Sequence, residues 1–218
     1  MRVVWVTRTL PEAEATAARL EAKGHRAIAA PVLEARPLAV SLDLHGVAAL
    51  AFTSGHAIAA FARLTAARDL AVFTVGVATA RQAREAGFAD VRSADGNVEA
   101  LADLIADVRP GHVLAPAAAE PAADLARLLA ARGVSATSAA VYETSPTTLA
   151  GPPSDADAVL IHSARSAAIA ADLIEAANRL DLEAFAISPA AARPLERLGL
   201  ARLAAAPFPN EAALLDLL

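Results

Sequence analysis

The chain has 218 residues, of which 56% are hydrophobic and 20% charged, with a net charge of −5 and no cysteine. That composition supplies ample core for one large or two small domains and is not that of a disordered chain. The missing basic surplus argues against nucleic-acid binding, and the missing thiols exclude disulfides, thiolate zinc sites, iron–sulfur clusters and a cysteine nucleophile.

Taken in chain order, short apolar runs alternate with Ala/Leu-rich helical runs. Strands are predicted at 3–7, 26–32, 47–53, 71–75, 90–93, 112–115, 136–142, 157–161, 184–187 and 202–205. Helices are predicted at 11–23, 55–66, 77–86, 97–107, 120–132, 164–177, 189–197 and 210–217. The spacing of Ala13, Ala17 and Leu20, and of Leu125, Leu128 and Leu129, puts each set on one helical face. Thr9-Leu10-Pro11-Glu12 has capping-box spacing, and Asn97 and Asn210 suit N-caps. Strands that are apolar throughout, each followed by a helix, imply α/β architecture with parallel sheets covered on both faces. The opening run meets Arg8 too soon for a signal peptide, and charges interrupt every apolar stretch short of a membrane span. A cytoplasmic protein with no membrane surface is expected.

An internal repeat runs through this pattern. Ser163 lies 109 residues after Ser54, as Gly133 lies 109 after Gly24, Glu143 after Glu34 and Pro146 after Pro37. Later segments match with small indels: FTVGVATARQAREAGF with FAISPAAARPLERLGL, and NVEALADLI with NEAALLDLL. Two similar α/β units are implied, with breakers at Pro31 and Pro37 and between Thr144 and Pro153, and a ligand cleft is expected between them.

The strand-to-helix junctions carry the candidate chemistry. They are Thr7-Arg8, Thr53-Ser54-Gly55-His56, Gly76 with Ala78 and Thr79, His162-Ser163-Ala164-Arg165-Ser166, and Ser188-Pro189. Ligands of open parallel sheets bind beyond the carboxyl ends of strands, where helix N-termini offer unpaired N–H groups to anions. Gly55 and Gly76 would admit close backbone approach. Taken singly, Ser54, Ser163 and Ser188 are also ordinary N-caps. His56 and His162 lack metal-ligand spacing, so no metal is expected. Tyr142, the sole tyrosine, ends an apolar strand; it reads either as a rim core residue or as a phenol aimed at the ligand.

The ordered series VTR (6–8), AFTSGHAIAAF (51–61), VGVATA (75–80), AGF (86–88), VYETSP (141–146) and AISPAAA (186–192) resembles the uroporphyrinogen-III synthase family. The resemblance implies two flavodoxin-like domains joined by a two-stranded linker. The first is discontinuous, 1–35 plus 150–218, and the second is 38–145, with linkers near 36–37 and 146–149. It implies cofactor-free closure of hydroxymethylbilane to uroporphyrinogen III, with inversion of the last pyrrole ring. By resemblance Tyr142 is the acid that assists departure of the hydroxyl. Arg8, Thr53, Ser54, Gly55, His56, Gly76, Ala78, Thr79, His162, Ser163, Arg165, Ser166 and Ser188 are expected to meet the substrate. The expected partner is a small molecule, a linear tetrapyrrole polycarboxylate, handed over from the preceding enzyme of the pathway, and a monomer is expected. Three motifs depart from the family pattern: APAAAEP replaces an arginine-glycine pair, Ile161-His162-Ser163 replaces Phe-Thr-Ser, and Ser188 and Ala191 replace glycine and threonine. The rival readings are a two-lobed binding protein for a small anion and a non-catalytic relative of the synthase.

Overall fold

The computed structural model describes residues 1–218. The chain divides into two compact units, Met1–Glu34 with Ser145–Leu218 (unit 1) and Ala35–Thr144 (unit 2). It begins with β1 (Val3–Val6), α1 (Glu12–Ala22) and β2 (Arg26–Ala29), and β3 (Leu33–Pro37) then runs across the boundary. Unit 2 continues with β4 (Ala49–Phe52), α2 (Gly55–Leu64), β5 (Ala71–Thr74), α3 (Val77–Glu85), β6 (Val91–Ser93), α4 (Val98–Val108), β7 (Val113–Ala118) and α5 (Leu125–Ala130). The long β8 (Ala136–Pro146) leads back to unit 1. There lie β9 (Ala158–Ile161), α6 (Ala164–Ala176), β10 (Glu183–Ala186), α7 (Pro189–Ala192), a 3-10 helix (Arg193–Leu198), β11 (Arg202–Ala205) and α8 (Glu211–Leu215).

Unit 1 holds a sheet of order β11-β10-β9-β1-β2, and the second sheet has the order β3-β8-β7-β4-β5-β6. The central strands pair in parallel: Val4 lies beside Ala27 and Ala158, and Leu50 beside Val72 and Leu114. Successive side chains of a strand point to opposite faces, so each sheet feeds two cores. In unit 1, Val4, Val6, Leu160 and Phe185 pack with Leu20 of α1 and Leu214 of α8. Trp5, Val159 and Ile161 pack with Ile174 of α6. Trp5 is fully buried, and its indole N–H donates to the Ala30 carbonyl at 2.7 Å, so the largest core residue carries no unmet donor. In unit 2, Leu50 and Phe52 meet Ile58 and Phe61 of α2, while Ala51 and Phe73 meet Leu101 and Ile105 of α4. Phe52, Phe61 and Phe88 sit with ring centroids 5.8–6.1 Å apart. Such aromatic pairs contribute about 0.5–1.5 kcal/mol beyond burial and anchor the C-terminal half of α2 to β4.

Several elements differ from the sequence reading. Residues 36–37, near which the two-stranded linker is expected, lie in β3, a neighbour of β8 at the sheet edge. β8 likewise extends to Pro146; proline is tolerated where no ladder hydrogen bond is required of it. Pro11 stands at the N-cap of α1 with no side-chain cap, so the capping box does not form there. The helix expected over 120–132 shortens to Leu125–Ala130, because the Asp124 carboxylate accepts from the Arg127 N–H and sets the start. The helix expected at 189–197 becomes the short α7 followed by the 3-10 helix.

Candidate active site

The apolar strand β4 ends at Phe52, and the chain turns through Thr53 and Ser54 into α2. Ser54 is extended, and its hydroxyl accepts from the His56 N–H at 3.2 Å, which fixes the helix start. At the same sheet edge β5 runs through Val75 to Gly76, the N-cap of α3. Asn97 caps α4 by accepting from the Ala100 N–H at 3.0 Å. Thr53, Ser54, Val75 and Val98 all line one cavity of about 430 Å³, so the N-terminal turns of three helices border it. Their first N–H groups have no partner within the helix and carry the positive dipole end, which favours carboxylate or phosphate. The volume lies within the range usual for small-molecule sites, about 300–1,000 Å³.

The opposite wall is made by β7 and β8, through Ala118, Tyr142 and Thr144. Here the pairing carries a bulge: Ala117 pairs with Ala140 but Ala118 with Tyr142, so Val141 is the extra residue. A bulge shifts the pleat by one and re-aims the side chains beyond it. Val141 and Tyr142, though consecutive, therefore pack into the same core cluster. The Tyr142 residue is only 9% exposed, yet it lines the cavity. No protein group hydrogen-bonds its hydroxyl. The half-buried His56 packs its ring against Tyr142 with centroids 5.7 Å apart.

The other predicted residues of unit 2 fall around this cavity without lining it. A Cβ on Gly55 would run into the side-chain amide of Gln82, so the close approach at this glycine is made by α3 rather than by a ligand. At Gly76 a Cβ meets nothing within 4 Å, and its φ of −157 suits any residue. Ala78 and Thr79 lie in the first turn of α3, with Thr79 buried.

In unit 1 the predicted polar residues are engaged largely by the chain itself. Arg8, just past β1, donates to Thr16 at 3.3 Å and to Glu211 at 3.2 Å. Glu211, at the start of α8, also accepts from the Thr16 hydroxyl and from Arg19. His162 is nearly buried, and neither ring nitrogen has a hydrogen-bond partner. Its Nε2 stands 3.8 Å from Glu211, beyond hydrogen-bond reach, so the ring acts across a gap. Burial pushes the imidazole below its ordinary pKa, which keeps it neutral, while Glu211 works against that fall. The Glu211 carboxyl is held down at about 2 by His162, by the Thr16 hydroxyl and by Arg19 and Arg8, against the cost of burial. Ser163 caps α6 by accepting from the Ser166 N–H at 3.1 Å, and the Ser166 hydroxyl donates to the Ser163 carbonyl at 3.0 Å. Arg165 is exposed on the first turn of α6. Ser188 caps α7, which has only four residues, and Ala191 is buried in the core beside it.

Sequence reasoning missed Thr144, Val98 and the 120–123 loop as cavity walls, Glu211 and Thr16 as partners of Arg8, and Arg19 as a second arginine on Glu211. An acidic residue straight after the Asn210 cap was the only local signal for Glu211. No group of three or more His, Asp or Glu is placed to hold a metal ion, and no helix is long and apolar enough to cross a membrane.

The family model of uroporphyrinogen-III synthase HemD matches residues 14–216. Among solved structures, uroporphyrinogen-III synthetase from Helicobacter pylori 26695 is similar over 100% of this chain and 98% of its own, with 19% identity and a TM-score of 0.69. A mutant uroporphyrinogen III synthase from the extremely thermophilic bacterium Thermus thermophilus is similar over 100% and 96%, with 17% identity and a TM-score of 0.52. These two likenesses concern the fold. No curated protein matches the chain.

Proposed function

The chain belongs to the uroporphyrinogen-III synthase family, and on that premise we propose that the Tyr142 groove of unit 2 is where it closes the linear tetrapyrrole. The enzyme is a cofactor-independent cyclising lyase of haem biosynthesis. It converts hydroxymethylbilane to uroporphyrinogen III, inverting the last pyrrole ring as the macrocycle closes. The observation that carries the site is Tyr142: a nearly buried phenol with no protein partner, lining a cavity bordered by three helix N-termini.

The chemistry follows from those groups. A phenol hydroxyl both donates and accepts. Tyr142 donates to the terminal hydroxyl of the substrate as it departs as water, leaving an electrophilic azafulvene. The substituted carbon of the last ring attacks, and a spiro intermediate forms. It fragments, the free α-carbon of that ring recloses the macrocycle, and the proton lost from that carbon returns to the Tyr142 phenolate. The peripheral carboxylates do not react; the N–H groups at the starts of α2, α3 and α4 hold them and so set which carbon reaches the electrophile. Holding a flexible chain in reacting geometry is itself a large rate term. Closing the groove on it keeps water from the azafulvene.

The finer architecture is read as two flavodoxin-like units related by an internal repeat. Setting β9 against β4 and β1 against β7 makes the orders β2-β1-β9-β10-β11 and β8-β7-β4-β5-β6 correspond strand for strand. Further support comes from matched positions. Ser54 and Ser163 both cap the helix after the central strand. Gly24 and Gly133 both take positive φ, at +84 and +73, as do Gly87 and Gly199. Asn97 and Asn210 both cap through the N–H three residues on.

The test is a coupled assay in which hydroxymethylbilane is generated in situ and the porphyrin isomers are separated after oxidation. Isomer III is the expected product. Isomer I alone, the outcome of spontaneous closure, from a folded protein would move the reading to a non-catalytic relative.

A further inference from the structure

The Tyr142 groove has a charge problem. Its walls include one carboxylate, Glu120, and no cation, while the substrate is a polyanion. Helix N-termini offer partial charges of about half a unit each, so a full positive charge nearby would matter.

A second cavity of about 300 Å³ adjoins the groove, since Val98 and Ala123 line both. Arg127 lines this second cavity. The other arginines of unit 2 are disposed of differently, and Arg36, on β3, already has an interacting partner. Arg68 bonds the carbonyls of Thr65, Ala67 and Ala86, and Arg84 that of Val91. Arg92 pairs with Asp90, Arg81 with Glu85, and Arg132 with Glu99 and Asp103. Arg63 and Arg109 have unpaired guanidinium groups, but Arg63 is in the last turn of α2 and Arg109 follows the C-terminus of α4, both at helix ends remote from the groove. The Arg127 guanidinium has no partner, and both carboxylates beside it are engaged. Glu99 is held by Arg132 at 2.7 Å, and Asp124 accepts from the Arg127 backbone N–H at 3.0 Å.

We propose that Arg127 is a substrate-binding residue that takes a peripheral carboxylate of the tetrapyrrole at the outer end of the Tyr142 groove. The arginine-glycine pair that the resemblance implies after 112–115 is absent, and Arg127 lies on α5, the next helix. The proposal rests on the synthase reading, and its effect is on binding and not on the reacting carbons.

Steady-state kinetics on hydroxymethylbilane, with isomer analysis, test it. Arg127→Ala should raise KM roughly fivefold to tenfold with kcat within about twofold, since one charge-assisted hydrogen bond is lost. Arg127→Glu should raise it further, Arg127→Lys should recover part, and the wild-type advantage should shrink as salt rises. Arg109→Ala should match the wild type. An Arg127→Ala enzyme with unchanged KM, from a wild type that makes isomer III, overturns the role of Arg127 alone. A wild type that yields only isomer I overturns the synthase reading as well.

Discussion

The strand ends of unit 1 and of unit 2 are built from similar junctions and used in opposite ways. In unit 2 the edge beyond β4 and β7 is an open cavity, and the Tyr142 hydroxyl that lines it is bonded by no protein group. In unit 1 the edge beyond β1 is filled from within: Glu211 takes Arg8, Thr16 and Arg19 and lies beside the buried His162. The guanidinium that the sequence offers as a substrate cation is met by the chain's own carboxylate. Similar strand-to-helix sequence motifs therefore do not mark similar chemistry. What decides is whether some distant residue has already satisfied the junction.

This contrast can be broken most severely at Tyr142. Tyr142→Phe keeps the ring in its core cluster and removes only the hydroxyl. Turnover should fall toward the lower end of the range for general acids, about 10²-fold, with the melting temperature little changed. Initial rates in the coupled assay check it, and unchanged turnover would take the acid role from the phenol.

Glu211 tests the other side of the comparison. Its carboxyl is held at about 2, below the ordinary carboxylate range, so its stabilisation is present above the unfolded pKa and is lost as pH falls from about 5 toward 2. The shift, discounted for partial solvent screening, corresponds to about 2 kcal/mol. Denaturant midpoints at pH 7, 5 and 3 should show the wild type losing stability on acidification. Glu211→Gln should start lower and lose less over that interval. If instead Glu211→Gln kept its stability and changed KM, the unit 1 edge would be a substrate site after all.

The smallest effect is expected at Gly76. Its backbone suits any residue and its Cβ would meet open space, so Gly76→Ala should leave stability within about 0.5 kcal/mol. A few-fold rise in KM would then report a substrate group lying against the start of α3. An unchanged KM would place that group elsewhere along the groove.

Local signals in the sequence lead to much of this site. The apolar run ending at Thr53-Ser54 forms β4 and the cap of α2, because both depend on residues a few positions apart. The Asn97 and Asn210 caps form for the same reason. What escaped is non-local or depends on register. The Arg8–Glu211 pair joins residues 203 positions apart. The Val141 bulge, which gives Tyr142 its place, appears only when β8 is laid against β7. β3 went unseen because Pro37 reads as a breaker, whereas a strand at the sheet edge tolerates it. The shortened α5 hid Arg127, since a helix drawn from residue 120 obscures the loop that shapes the second cavity.

The most direct measurement is an amide NMR titration of the protein with uroporphyrinogen III under anaerobic conditions. The account predicts the largest shifts at the backbone N–H groups of Thr53, Ser54, Val98 and Tyr142, which line the groove. Product binding that leaves all of these unmoved would contradict it.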